Sequence, residues 1–314
     1  MNSPSSTNGG TDTGPLVFDR ERTATLLDFH MLVDAIAEAA AEQEAGTILS
    51  PERLVVPLGE GGVLLSMPAT ARDIGIHKLV NVQPANRRRG LPTIHATVTV
   101  CDAATGRILC ILDGPEVTGR RTAAVSMLAI RTLLRRAPAR ILLFGTGVQA
   151  GYHVRAIHAL HPQSEILVCG RSAQSSEAFC DSHRDLHPFL GPCAAPPSDI
   201  DAVIMLTTSK EPVYDEQARP GRLVIGAGAF KPEMAELGRI TLDGSDLYAD
   251  DPAGARHEAG DLLRANTDWS RVRSLAAALR GPVDVNRAAV FKSVGTAAWD
   301  LAAARVALKS LASG

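Results

Sequence analysis

Apolar residues recur with two different periods along this chain, and the change from one to the other divides it. Between residues 53 and 112 they fall in short β-like runs, at 54–56, 63–66, 76–82, 93–101 and 107–112. The run Thr93-Ile94-His95-Ala96-Thr97-Val98-Thr99-Val100 is β-branched on both registers. Residues 102–106 turn the chain into the next run, which predicts a hairpin in a mostly antiparallel sheet. An alanine-rich helix over 30–44, stopped at Gly46, precedes it. From a helix over 121–135 onward the signals alternate instead, with strands at 141–144, 166–169, 201–206, 222–225 and 240–242 and helices at 154–160 and 175–182. Alternation of that kind predicts parallel strands with helices on both faces. A last amphipathic helix over 295–311 carries Ala298, Leu301, Ala302, Arg305 and Leu308 at helical spacing and is expected to pack back on the first unit.

The strand at 141–144 runs directly into Gly145-Thr146-Gly147-Val148-Gln149-Ala150. Gly145 lets the backbone turn sharply, Gly147 has no side chain to block a pyrophosphate, and Ala150 keeps the following helix close to the sheet. A lone G-x-G-x-x-A is weak, but here the next strand, 165–169, ends in Gly170-Arg171-Ser172 at the distance where a ribose is read. A carboxylate there would accept the 2′-hydroxyl and repel a phosphate, whereas Arg171 and Ser172 offer donors and positive charge. NADPH is therefore expected, with NADH as the alternative. The expected fold class is α/β: a Rossmann-type doubly wound parallel sheet over 119–287, plus a smaller α+β domain over 16–118 completed by 288–314, behind a disordered tail at 1–15.

A net charge of −2 on 314 residues gives no electrostatic case for nucleic acid or membrane partners. No stretch is long and apolar enough to span a bilayer, and the Ser-, Thr-, Asn- and Gly-rich start does not read as a signal peptide. The five cysteines, an odd number with no C-x-x-C pair, point to reduced thiols and a cytoplasmic location. His153, His158 and His161 share no i,i+4 spacing, and Asp243, Asp246, Asp250 and Asp251 read as loop residues, so no metal is expected.

Candidate chemistry lies in the first half, at Arg53, Lys78 and the Arg120-Arg121 pair. Lys78 sits among apolar neighbours in Gly75-Ile76-His77-Lys78-Leu79-Val80, where a charge costs free energy unless it meets an anion. Arg121 is expected to open a helix, where its charge opposes the dipole and again calls for an anion. Each cation alone reads equally well as a surface residue or a structural ion pair. Converging beside a nicotinamide, Arg53, Lys78 and Arg121 would clamp a small carboxylate, and a lysine of lowered pKa would supply a proton.

These residues, with Met67-Pro68-Ala69, Pro84-Ala85-Asn86, Leu91-Pro92-Thr93-Ile94-His95, Thr118-Gly119-Arg120-Arg121-Thr122-Ala123-Ala124 and Phe291-Lys292-Ser293-Val294-Gly295, resemble the ornithine cyclodeaminase and μ-crystallin family over nearly the whole chain after the tail. The resemblance implies a homodimer whose first domain binds substrate and builds the dimer interface. It places Arg53, Lys78 and Arg121 on the substrate carboxylate and Thr122 on the cofactor phosphates. Thr207, Thr208, Ser209, Gly226, Ala227 and Ser293 fall near the nicotinamide. Cyclodeaminases of the family carry an aspartate where this chain aligns Ala229, and a methyl group cannot shuttle a proton. The expected activity is therefore reduction of a cyclic α-imino acid, Δ1-pyrroline-2-carboxylate or Δ1-piperideine-2-carboxylate, to L-proline or L-pipecolate. An amino-acid or N-alkyl-amino-acid dehydrogenase, an ornithine cyclodeaminase and a non-catalytic NADPH-bound ligand-binding protein are the alternatives.

Overall fold

A computed structural model of the chain describes residues 14–313, so the tail expected over 1–15 lies outside the described residues except for Gly14 and Pro15. The first sheet holds Leu16–Val17 (β1), Leu54–Leu58 (β2), Gly62–Thr70 (β3), Ile74–Val82 (β4), Ile94–Asp102 (β5) and Ile108–Asp113 (β6), in the order β1-β6-β5-β4-β3-β2. Strands β2 to β6 form an antiparallel meander, which contains the expected hairpin as β5 and β6. Helices Arg20–Leu26 (α1) and Gly114–Leu133 (α3) pack on it, and Phe29–Glu44 (α2) packs on α3. Strand alternation sends Ile74, Ile76, Lys78 and Val80 of β4 to the covered face and His77 to the open one. On the uncovered side β2 is exposed along its whole length, Leu54, Val55, Val56 and Leu58 included.

The second sheet is parallel throughout. It is built from Arg140–Phe144 (β7), Glu165–Cys169 (β8), Leu190–Pro192 (β9), Ala202–Met205 (β10), Leu223–Gly226 (β11), Asp246–Ala249 (β12), Val272–Ser274 (β13) and Ala289–Lys292 (β14). The order is β13-β12-β14-β11-β10-β7-β8-β9, with the switch of direction between β7 and β10. Helices Val148–Leu160 (α4), Ala173–His183 (α5), Arg239–Asp243 (α6), Pro252–Glu258 (α7), Gly260–Arg264 (α8) and Leu275–Arg280 (α9) connect these strands. Strands β10, β11 and β14 are buried on both faces, and so read as apolar runs, broken only by Lys292 at the end of β14. The last helix, Ala297–Ser313 (α10), returns to pack on α2, β3 and β4 as expected. No helix among the described residues is long and apolar enough to cross a membrane.

Three expectations change. Helix α3 begins at Gly114, not at 121, because Asp113 caps it through the Glu116 N–H at 2.8 Å and Pro115 fits a first turn that needs no amide donor. Arg121 and Thr122 therefore lie inside a helix, not at its start. Residues 240–242 belong to helix α6, whose first turn is held by Asp215 Oδ1 accepting from the Ile240 and Thr241 amides. The strand instead is β12, inside the stretch taken for an acidic loop. Finally, β14 pairs with β11 and β12, so the chain leaves the parallel sheet after Lys292 and not at 288.

Candidate active site

The turn after β7 has the geometry a dinucleotide needs. Gly145 adopts φ +116°, and a Cβ there would stand 2.7 Å from the Leu206 carbonyl oxygen, so the close approach of the two loops at the switch point requires glycine. Around Gly147 an added Cβ would meet nothing within 4 Å, which leaves room for a ligand against the backbone. Helix α4 starts at Gly147 without a side-chain cap, so its first amides are free to bind an anion. Thr146 is half-buried, Val148 is 75% exposed, and Ala150 is buried where the helix meets the sheet. Gln149 Oε1 is buried with no hydrogen-bond partner. These residues fit a nicotinamide dinucleotide.

At the far rim Gly170 donates its N–H to Ser176 Oγ, and Ser172 caps α5 in a reciprocal arrangement with Ser175. Arg171 is exposed and has no acceptor among the described residues.

Strand β14 leads from the parallel sheet to the cations. The Ser293 amide donates to the Gly226 carbonyl at 2.9 Å, beside Ala227 at the end of β11. The next two residues, Val294 and Gly295, offer their carbonyls to Arg53 Nη2 at 3.3 and 3.1 Å. Gly295 takes φ +78°, and a Cβ there would lie 2.8 Å from Arg121 Nη1, so the guanidinium rests against bare backbone. One turn into α10, Asp300 accepts from Lys78 Nζ through Oδ2 at 2.5 Å and from Arg121 Nε through Oδ1 at 3.3 Å. Arg53, Lys78 and Arg121, from three distant segments, thus converge on residues 294–300.

The electrostatics follow from that convergence. Three cations meet two carboxylates, Asp300 and Glu258, the latter 2.7 Å from Arg53 Nη2. One positive charge is left over. Arg121 Nη1 and Nη2 have no acceptor among the described residues, nor have Nε and Nη1 of Arg53. Burial pulls the Lys78 ammonium down to about 8; Asp300 works against that pull, and Arg121 and Arg53 reinforce it. Arg120 points elsewhere, to Glu116, the Leu27 carbonyl and the Phe29 ring, and has a structural part.

The chain belongs to the ornithine cyclodeaminase/mu-crystallin family. Its family model matches residues 15–314. The chain is 54% identical to a Δ1-pyrroline-2-carboxylate/Δ1-piperideine-2-carboxylate reductase of Azospirillum brasilense, over 94% of this chain and 96% of that one. It is 53% identical to a Δ1-pyrroline-2-carboxylate reductase of Burkholderia ambifaria, with 94% and 95% covered. Among solved structures, Δ1-pyrroline-2-carboxylate reductase of Thermococcus litoralis, in complex with NADH and L-proline, has the same fold. Its TM-score is 0.85 at 24% identity, covering 95% of this chain and 98% of that one.

Several residues that shape the site in this family member carried no assignment in the sequence reading. Asp250, taken for a loop residue, is buried and accepts from Ser293 Oγ, the Val294 and Gly295 amides and Trp299 Nε1, so it fixes the segment that holds the arginines. Glu236 accepts from the Thr207 amide and hydroxyl and from the Gly228 and Ala229 amides, tying together the loops after β10 and β11. Asp261 in turn receives the Glu236 and Leu237 amides and forms a fully buried ion pair with Lys292 at 2.5 Å. Of the expected nicotinamide neighbours, Thr207 and Ser293 therefore have their hydroxyls occupied and Ser209 bonds to the Glu211 carbonyl, while Thr208 is exposed and its hydroxyl has no partner among the described residues. Thr122 is buried beside Arg121 on α3. Ala229 is fully buried and brings no acid to the cleft.

Proposed function

We propose that the protein reduces the C=N bond of a cyclic α-imino acid, Δ1-pyrroline-2-carboxylate or Δ1-piperideine-2-carboxylate, to L-proline or L-pipecolate. The carrying observation is that unspent guanidinium donors of Arg53 and Arg121 meet at Gly295, beside Lys78, on the segment continuous with the nicotinamide-side strand β14. Relatives at 53–54% identity that are named for this reaction support it. In this reading the free Nη pair of Arg121 grips the carboxylate in two-pronged fashion and Arg53 adds a single charged donor, which together orient the ring. A bound reduced nicotinamide supplies the hydride that reaches C2. Lys78, protonated at neutral pH and held by Asp300, controls the proton that keeps the imine nitrogen cationic.

Arg171 gives NADPH the advantage over NADH, because it alone at the ribose rim offers unspent charge. The exposed apolar strand β2, with Ile94 of β5, supports a homodimer formed through the first sheet. Five free cysteines fit a cytoplasmic setting.

Purified protein should oxidise NADPH with the five- and six-membered imino acids, followed as absorbance loss. Binding without consumption would make it a sequestering protein instead, and ammonia release from ornithine would overturn the argument from Ala229. With Lys78→Met, turnover should lose its fall above pH 8, since that limb is loss of the Lys78 proton as pH rises through a lowered pKa. A variant that keeps full turnover with the parent pH profile excludes Lys78 as the proton donor.

A further inference from the structure

We propose that Glu258 is a resident counter-ion of Arg53, a carboxylate that occupies the guanidinium until the substrate's own carboxylate displaces it, and so sets the affinity for anionic substrates. The inference rests on Arg53 binding the substrate carboxylate, as above.

The two carboxylates at the clamp are held in different ways. Asp300 is fully buried and gripped by two cations, so it is fixed. Glu258 has a single cationic partner, and the pair keeps 17% and 24% of its side-chain surface in solvent. Arg53 spends only Nη2, on Glu258 and on the carbonyls of Val294 and Gly295. The carbonyls are uncharged and keep the guanidinium in place when Glu258 lets go. Glu258 ends α7 in the second sheet's half, whereas Arg53 leads into β2 of the first, so the ion pair joins the two halves beside the clamp.

Other charges favour release. Glu258 faces Asp250 at the end of β12, Asp251 at the start of α7 and Glu52 on the segment of Arg53, and Glu52 also has His257 at 3.7 Å. Burial, with these acidic neighbours, holds the Glu258 carboxyl above the ordinary carboxylate range despite Arg53. Arrival of a substrate anion on Arg53 removes the attraction that keeps Glu258 ionised, so binding should draw a proton onto it. Affinity is then highest below the pKa of Glu258 and weakens as pH rises through it.

The test uses the NADPH-bound enzyme, a cyclic imino acid as substrate and pyrrole-2-carboxylate as a planar dead-end anion. Glu258→Gln keeps the shape and removes the charge. It should lower KM and the inhibition constant by about threefold to tenfold at neutral pH, the size of one part-exposed ion pair, with the effect carried by KM and not by kcat. The acid-side dependence of KM should vanish while the limb near pH 8 stays. Glu258→Ala should act in the same direction. Unchanged or raised KM in both variants, with the parent pH dependence, overturns the inference. Arg53→Met separates the two levels. If it raises KM while the Glu258 variants change nothing, the counter-ion role alone fails; if it leaves KM unmoved, the carboxylate role of Arg53 fails with it.

Discussion

The glycine turn and the cation clamp each present an anion site, and they are made of opposite materials. At the turn the donors are backbone amides at the uncapped start of α4, and no charged side chain takes part. At the clamp the donors are long side chains from segments near residues 53, 78 and 121, two of them buried and neutralised in part by Asp300. Backbone amides are fixed by the fold and need no counter-ion. Buried cations need one, because desolvating an unpaired charge costs several kcal/mol. The clamp can therefore be tuned by pH and by neighbouring carboxylates, and the turn cannot.

Arg121→Met should break the clamp hardest. It removes the free Nη pair and leaves Asp300 with Lys78 alone, and loss of one partner from a buried charged contact costs about 2–5 kcal/mol. We expect kcat/KM for the imino acid to fall by about a thousandfold, near 4 kcal/mol, while nucleotide affinity measured by fluorescence titration stays within the parent range. Because Arg121 helps to depress the Lys78 ammonium, the alkaline limb should also move upward from about 8. A loss smaller than tenfold would mean that Arg121 does not grip the carboxylate, and a matching fall in nucleotide affinity would mean that the two anion sites are not separate.

Gly145→Ala probes the other material. The residue would be strained at φ +116°, and its Cβ would press on the Leu206 carbonyl, at a cost of about 1–3 kcal/mol. The expected result is nucleotide affinity lower by about tenfold to a hundredfold, with the imino-acid KM unchanged once nucleotide saturates. Equal damage to both constants would show that the loop after β10 transmits strain into the clamp through Glu236.

The same contrast explains what could be read in the chain. The glycine turn was legible because its requirement is local: a strand, a turn at positive φ and an uncapped helix follow one another within ten residues. Lys78 was legible as a lysine among apolar neighbours in a strand-like run, and the strand does send it inward with Ile76 and Val80. Asp300 was not, because its partner lies 222 residues away and nothing local marks it except a carboxylate on an alanine-rich helix face. An anion beside Arg121 was expected for a helix-start reason that proved wrong. The anion is present because the arginine is buried. Asp250 was hidden by its acidic neighbours, which resemble a loop until β12 is seen to run through them. Lys292 stands in the apolar run before α10, where a lysine raises the same question as Lys78; its answer is Asp261.

The smallest effect belongs to the rim, where the turn borrows the clamp's material. Ser172 Oγ accepts the Ser175 amide in capping α5 and keeps only a neutral O–H to donate, so of the two residues proposed to read the ribose Arg171 alone brings charge. An exposed arginine facing a phosphate across solvent contributes about 1.4 kcal/mol, and salt screens it. Arg171→Ala should therefore lower kcat/KM for NADPH by about tenfold and leave NADH untouched, and the difference should shrink as ionic strength rises. Equal effects on both cofactors would place Arg171 against the adenine ring instead of the 2′-phosphate. In that case the preference for NADPH would have to come from some other feature of the rim.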